Sequence, residues 1–362
     1  MNYLIKPASE YLFPESTLNK YGCYRISKYI EIHISGDISI CCFTWLPKFV
    51  GNILTDSPKE ILNNIERLSL ISDMDQGKFT ECNDHCPYIN SILNGKNPAG
   101  YIVPLSELSE YKKKIPLAIN FSYDPSCNLQ CPSCRNELIM YSLGENETLD
   151  KVHTGVQNLI DYLLLNDEKL LLNITGSGDA FASPIYWDYL KKLKPHKNLL
   201  LKLSTNGILM TTKKLNEIQQ LWDNIYQINV SIDAATEKTY NIVRKNGSLE
   251  KVKKNLQSLN KSIEKNQFRN LKVFLTIFTV QKLNYKEVKE FAQWQLTYSH
   301  LTSIYFNFVV QWGHINSIRF ENDFDLTTTE KQELYQILQD SVFDDPKIIL
   351  GNLNSIKYEQ KN

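Results

Sequence analysis

Cysteine is missing from the last 228 residues of this 362-residue chain; all 8 of its cysteines stand at or before position 134. Thiols used merely as small core residues would not stop there, so the group has a common purpose. A secreted disulfide framework is argued against by the size and by the N-terminus, where Met1-Asn2-Tyr3-Leu4-Ile5-Lys6 runs into Pro7 without the apolar segment of a signal peptide. Also lacking is any apolar run long enough for a membrane-spanning helix. Net charge is lacking too, with 40 Lys+Arg against 40 Asp+Glu. Such a balance argues against nucleic acid or an anionic membrane as a general partner. These absences point to the cytoplasm, where clustered cysteines are more often metal ligands than bridges. What remains is a chain with 42% hydrophobic residues, enough for about two domains or one large α/β domain with an addition.

The tightest cysteine group is Cys127-Asn128-Leu129-Gln130-Cys131-Pro132-Ser133-Cys134, a C-x3-C-x2-C loop directly after the apolar run Ile115 to Phe121. Such a run reads as a buried strand, which places the thiols on the loop at its C-terminal end. Three ligands can close around one metal centre. They are one short of the four thiolates of an ordinary cubane cluster, which would leave one iron open. Half of a structural zinc site is the alternative, and it would need a fourth ligand.

A second group lies upstream. Ile30-Glu31-Ile32-His33-Ile34, the turn Ser35-Gly36-Asp37 and Ile38-Ser39-Ile40-Cys41-Cys42 read as a β-hairpin, with Cys23 leading in. Ser57-Pro58-Lys59-Glu60 opens a helix with a capping box, and Ile61, Leu62, Ile65 and Leu68 form its expected apolar stripe. Cys82 and Cys86 close the segment. Cys23, Cys41, Cys82 and Cys86 make a closed set of four, suited by spacing alone to a cluster or to zinc. Cys42, expected to point away from Cys41 on a strand, reads as a buried bystander. His33 reads as a core or surface histidine, and His85 as a group behind the ligands.

From residue 115 apolar strands alternate with amphipathic helices. Strands are expected at 116–122, 170–175, 199–204, 226–232, 271–278 and 303–309, and helices at 149–165, 184–194, 212–222, 249–266, 284–296 and 327–341. This pattern predicts an α/β fold: a partial (β/α)6 TIM-like barrel carrying a small N-terminal cysteine-rich module of hairpin and helix. The expected division is 1–110 for the module and its connection, 111–342 for the barrel and 343–362 for a tail. In such barrels the site lies at the C-terminal strand ends. There stand Thr175-Gly176-Ser177-Gly178-Asp179, a turn whose carboxylate could meet an ammonium, and Ser204-Thr205-Asn206-Gly207, whose side chains suit hydroxyls. Ser231 and Arg244 follow the fourth strand, Arg244 as a bidentate clamp for a carboxylate. Ordinary turns would explain each one singly.

Taken together these residues resemble the radical S-adenosylmethionine (SAM) enzymes, over residues 115 to about 310. The resemblance implies that Cys127, Cys131 and Cys134 hold a [4Fe–4S] cluster whose open iron chelates SAM. Gly176, Ser177 and Asp179 look like the turn that meets the SAM amino group, with Asp where Glu is commoner. Ser204, Thr205 and Asn206 fall at the ribose-contact strand, and Ser231 and Arg244 at the carboxylate positions. Upstream, Cys23, Gly36 and Cys41 resemble the C-x9–15-G-x4-C signature of SPASM and twitch modules. With Cys82 and Cys86 they imply one auxiliary [4Fe–4S] cluster, placed before the barrel rather than after it.

The implied reaction is reductive cleavage of SAM to a 5′-deoxyadenosyl radical, hydrogen abstraction, and net oxidation of substrate with the auxiliary cluster as electron acceptor. A peptide or protein side chain, crosslinked or dehydrogenated, is the expected substrate, with a sugar or other small molecule as the alternative. An electron donor such as flavodoxin or ferredoxin is the expected protein partner. No cysteine follows Cys134 to act as the late hydrogen donor of radical epimerases. Residues Phe306 to His314 would line the substrate end, with His314 as a possible base. A reading of another class is a non-catalytic zinc or iron–sulfur scaffold.

Overall fold

The computed structural model describes residues 15–83, 86–93, 95, 97–98, 100–309 and 324–359. Two compact units divide the chain: Met1–Tyr123 with Asn146–Leu172, and Asp124–Glu145 with Asn173–Asn362. The division falls elsewhere than at residue 110, because the first barrel strand and helix group with the N-terminal segment.

In the first unit, β1 (Tyr21–Cys23) leads into a one-turn helix, α1 (Arg25–Lys28), and then into β2 (Tyr29–His33) and β3 (Ile38–Ser39). The hairpin turns at Gly36, whose φ of 86° favours glycine. Downstream come α2 (Pro58–Leu62), α3 (Ile65–Asp75), α4 (Pro87–Leu93), β4 (Ile102–Pro104), α5 (Leu105–Lys114), β5 (Leu117–Ser122), α6 (Glu147–Leu164) and β6 (Leu170–Ile174). β1 pairs antiparallel with β4, and β2 pairs antiparallel with β3 and parallel with β5. The register sets Ile30 opposite Ile119 and Ile32 opposite Phe121, all fully buried. Each such side chain contributes about 1.5–3 kcal/mol by leaving water. The alternate positions of the same strands carry Glu31, Asn120 and Ser122; Asn120 and Ser122 both donate to Glu31 Oε1, at 3.0 and 2.7 Å.

The expected stripe of the first long helix is corrected. The capping box of Ser57 and Glu60 is present, but α2 stops at Asn63, and Asn64 caps a new helix by accepting from the N–H groups of Glu66 and Arg67. Leaving the helix for two residues resets its phase. Ile65 is therefore 81% exposed and Leu68 46% exposed, while Leu70 and Met74 are buried, as is Ile61.

The second unit continues with α7 (Pro184–Lys192), β7 (Leu199–Thr205), α8 (Thr212–Glu217), β8 (Ile225–Ser231), α9 (Glu237–Val243), α10 (Leu249–Glu264), β9 (Val273–Val280), α11 (Val288–Gln295), β10 (Ser303–Phe308), α12 (Thr328–Ile337) and β11 (Ile348–Ile349). β7, β8, β9, β10 and β11 pair in that order, all parallel. The last strand corrects the reading of 343–362 as a plain tail: Ile348 and Ile349 extend the sheet beside β10. Phe278, Phe291 and Phe306 pack within 4.8–5.9 Å of one another between β9, β10 and α11. The large parallel sheet with helices between successive strands is that of a partial (β/α) barrel.

Candidate metal centres

The loop that carries Cys127, Cys131 and Cys134 is built on Asp124. This fully buried carboxylate accepts from the Ser126 N–H at 2.9 Å and hydroxyl at 2.6 Å, and from the Ser183 hydroxyl of the α7 N-cap. Burial raises its pKa, partly offset by those serine hydrogen bonds. Ser126 Oγ accepts from the Tyr141 N–H at 2.7 Å, and the Cys127 N–H donates to Ile139 O at 2.9 Å. The loop then closes a turn with Cys134 N–H and Arg135 N–H both donating to Cys131 O. Opposite lies the turn after β6. A Cβ on Gly178 would stand 2.5 Å from Ser126 O and 2.7 Å from Asp124 O, so glycine permits the two backbones to touch.

Each of the three sulfurs has an N–H donor. Cys127 Sγ accepts from the Leu129 N–H at 3.4 Å and from Asn206 Nδ2 at 3.7 Å. Cys131 Sγ accepts from Arg244 Nη1 at 3.8 Å, and Cys134 Sγ from Arg135 Nη2 at 3.7 Å. Cys127 and Cys131 are buried, and Cys134 is exposed. Burial, with Asp179 adding to it, pushes the Cys127 thiol up to about 12; burial raises Cys131 as well, against the pull of Arg244. Metal binding at these thiols must therefore displace protons.

Two of the expected ligand contacts are corrected. Asp179 is 1% exposed and turned inward. Its Oδ1 accepts from the Phe181 and Ala182 N–H groups at 2.9 and 3.0 Å, and its Oδ2 from Thr205 Oγ1 at 2.9 Å and the Asn206 N–H at 2.6 Å. It serves as a strut between two strand ends and has no oxygen left for an ammonium. Arg244 is no free clamp either: its Nη2 is 2.6 Å from Asp233 Oδ2. Ser177 O accepts from Arg135 Nη2 at 3.1 Å.

The remaining expected residues cluster at the strand ends. Thr205 is held by Asp179, and Asn206 Nδ2 also donates to Asn128 Oδ1 at 2.9 Å. Ser204 accepts from Asn229 Nδ2 at 3.5 Å, and Asn229 Oδ1 accepts from Gln227 Nε2 at 2.8 Å, a polar row across β7 and β8. Ser231 ends β8. Arg135 and Asp233 were missed by the sequence reading. Their signals were present: a basic residue directly after the third thiol, and an acid two residues after Ser231.

In the first unit Cys23, Cys41, Cys82 and Cys86 line one small space, walled also by Arg25, Trp45, Tyr88 and Tyr101. Cys23 ends β1, Cys41 lies two residues past β3, and Cys86 immediately precedes α4. Burial pushes the Cys23 thiol up to about 11 and raises Cys41, Cys82 and Cys86 as well. Cys42 does not line the space. The strand argument for it is corrected, since β3 ends at Ser39 and alternation does not reach residue 42. His33 is buried, with Nε2 2.9 Å from Ser39 Oγ and its ring packed on Phe49. His85 and His314 lie outside the described residues.

Among the described residues, no three His, Cys, Asp or Glu side chains converge as the ligands of a single ion. By number, three thiols and four thiols are what a cubane with one open iron and a closed cubane take, and the N–H donors on the first three sulfurs suit charged thiolates.

Residues 122–294 match the model of the Radical SAM superfamily, and residues 23–87 match that of an iron–sulfur cluster-binding domain, SPASM. No curated protein matches the chain.

Proposed function

Because the chain belongs to the radical SAM superfamily and carries a SPASM iron–sulfur cluster-binding domain, we propose that it catalyses a net oxidation of a peptide or protein side chain. Its cofactors are a [4Fe–4S] cluster with SAM, and further iron–sulfur in the SPASM module. When bound, cluster and SAM supply a 5′-deoxyadenosyl radical, which takes a hydrogen atom from an unactivated carbon.

Cys127, Cys131 and Cys134 would hold three corners of that cluster and leave the fourth for the amino and carboxylate groups of SAM. Arg135, Arg244 and Asn206 donate to the sulfurs and fix their directions. Asp179 ties the Thr205–Asn206 strand end to the turn after β6, so the residues expected at the ribose keep their positions. Ser231 remains the residue proposed for the SAM carboxylate. The polar row of Gln227, Asn229 and Ser204 offers a substrate fixed hydrogen-bonding groups.

The observation that carries the oxidation is the closed thiol set of the first unit. Cys23, Cys41, Cys82 and Cys86 supply four ligands, which leave no iron open to a substrate and suit the cluster to accept an electron. A flavodoxin or ferredoxin would deliver the electron that starts each turnover.

The test is anaerobic reconstitution followed by iron and sulfide analysis and a SAM-cleavage assay. About eight irons per chain and 5′-deoxyadenosine formed only with reductant are expected. A single bound zinc, or no SAM cleavage by protein with its full iron, would sink the reading. Candidate peptides are scored by mass for the loss of two hydrogens; the same loss from a sugar alcohol would move the substrate to a small molecule.

A further inference from the structure

Arg25 sits where the proposed chemistry gives it no role. It lies two residues past Cys23 and lines the same space as the four cysteines. Its guanidinium carbon is 3.7 Å from the Tyr29 ring centroid, 4.6 Å from that of Tyr101 and 5.9 Å from that of Trp45. Its Nε is buried without a hydrogen-bond partner, and among the described residues no carboxylate forms an ion pair with it. The charge of Glu31 acts on the guanidinium without pairing with it, and a largely buried cation with an unpaired N–H is still unfavourable unless an anion stands opposite. The anion that fits is a cluster with its thiolates.

The cation is also held in place. Its platform, Tyr29, donates its hydroxyl to Glu31 Oε2 at 3.0 Å, and Glu31 is anchored in turn by Asn120 and Ser122. A guanidinium clamped between aromatic faces cannot swing out to water. We propose that Arg25 raises the reduction potential of the cluster held by Cys23, Cys41, Cys82 and Cys86, fitting it to accept single electrons. This rests on the reading of those cysteines as cluster ligands. The physical reason is charge. One electron enters, no bond breaks and no proton is required, so the cluster gains one negative charge, which a fixed cation stabilises. Potentials of such clusters respond to charge, to N–H donors and to burial, and Arg25 brings the first two into a buried cage.

The experiment removes the other centre. The full chain carrying Cys127→Ala, Cys131→Ala and Cys134→Ala is reconstituted anaerobically with iron and sulfide. It is titrated with dithionite through redox mediators, and the reduced cluster is followed by electron paramagnetic resonance. Adding Arg25→Gln is expected to make reduction at least tenfold less favourable, a fall of about 60 mV for one electron. Arg25→Lys, which keeps the charge but cannot stack, is expected to fall less. Tyr29→Phe, which keeps the ring, should stay within a fewfold of the parent. An unmoved midpoint in an Arg25→Gln protein that retains its iron overturns the proposal alone. Should Arg25→Gln lose its iron, Arg25→Met, which also removes the charge but keeps an apolar stem against the rings, decides: a midpoint below the parent supports the proposal, and an equal or higher one overturns it. A triple-alanine parent that binds no iron overturns the cluster reading of the cage and the role of Arg25 with it.

Discussion

Arg244 bridges Asp233 and Cys131: its Nη2 is 2.6 Å from Asp233 Oδ2 and its Nη1 donates to Cys131 Sγ at 3.8 Å. Asp233 is itself fixed, because its Oδ1 accepts from the Thr279 N–H at 2.7 Å. Burial alone would weaken the Arg244 charge, but Asp233 and Cys131 outweigh it and hold the guanidinium ionised. The pair is almost wholly removed from water. Removing one partner of such a pair leaves an uncompensated charge, at a cost of about 3–5 kcal/mol. Asp233→Asn is therefore expected to lower the urea stability of the apoprotein by about 3 kcal/mol. A loss under about 1 kcal/mol would mean that water already screens the pair.

Gly178 makes a second prediction. The Cβ of an alanine there would press on the carbonyls of Ser126 and Asp124, backbone atoms that cannot move without dragging Cys127. Gly178→Ala should cost about 1–3 kcal/mol in the apoprotein. It should also loosen the three-cysteine loop, so iron after reconstitution and desalting should fall from about eight toward about four per chain. Full iron and an unchanged unfolding midpoint together would contradict the close approach.

The barrel was legible because its strands are nearly continuous in Leu, Ile and Val and its helices keep an apolar face, patterns that burial imposes directly. The two cysteine groups were legible because ligand spacing is local. What escaped were properties of orientation. Asp179 at a strand end reads the same whether it faces a ligand or turns in to cap Phe181 and Ala182. The break at Asn63 and Asn64 was hidden because a single polar pair inside an apolar period does not announce a phase change. Arg25 and Arg135 carry no signal in the sequence beyond standing near a cysteine, since only the fold brings their guanidinium groups against rings and sulfurs.

Cys42 separates the ligands from the bystander. It is half-buried and absent from the walls of the four-cysteine space, whereas its neighbour Cys41 lines it. Cys42→Ser should leave about eight irons per chain after reconstitution, and Cys41→Ser or Cys82→Ser should leave about four. The reverse result, iron lost with Cys42→Ser and kept with Cys41→Ser, would exchange the two roles.

His33 predicts a pH dependence whose sign follows from its bonds. Ser39 Oγ donates its hydrogen to Cys41 O at 3.1 Å, so toward His33 Nε2, 2.9 Å away, it can only accept. The ring therefore carries its proton on Nε2. Burial lowers its pKa from 6.5, against the attraction of Glu31 and Asp37 for a positive ring. Between that lowered value and 6.5 the unfolded chain binds a proton that the folded one refuses. The His33 contribution is thus full above pH 6.5 and is lost as the pH falls through the window beneath it, by about 1.4 kcal/mol per unit of depression. Urea unfolding of the apoprotein, followed from about pH 7.5 to pH 5, should show a shallower decline in His33→Gln than in the parent, since the amide can donate to Ser39 but does not titrate. Parallel declines in the two proteins would mean that the ring takes up its proton in the fold as readily as in the unfolded chain.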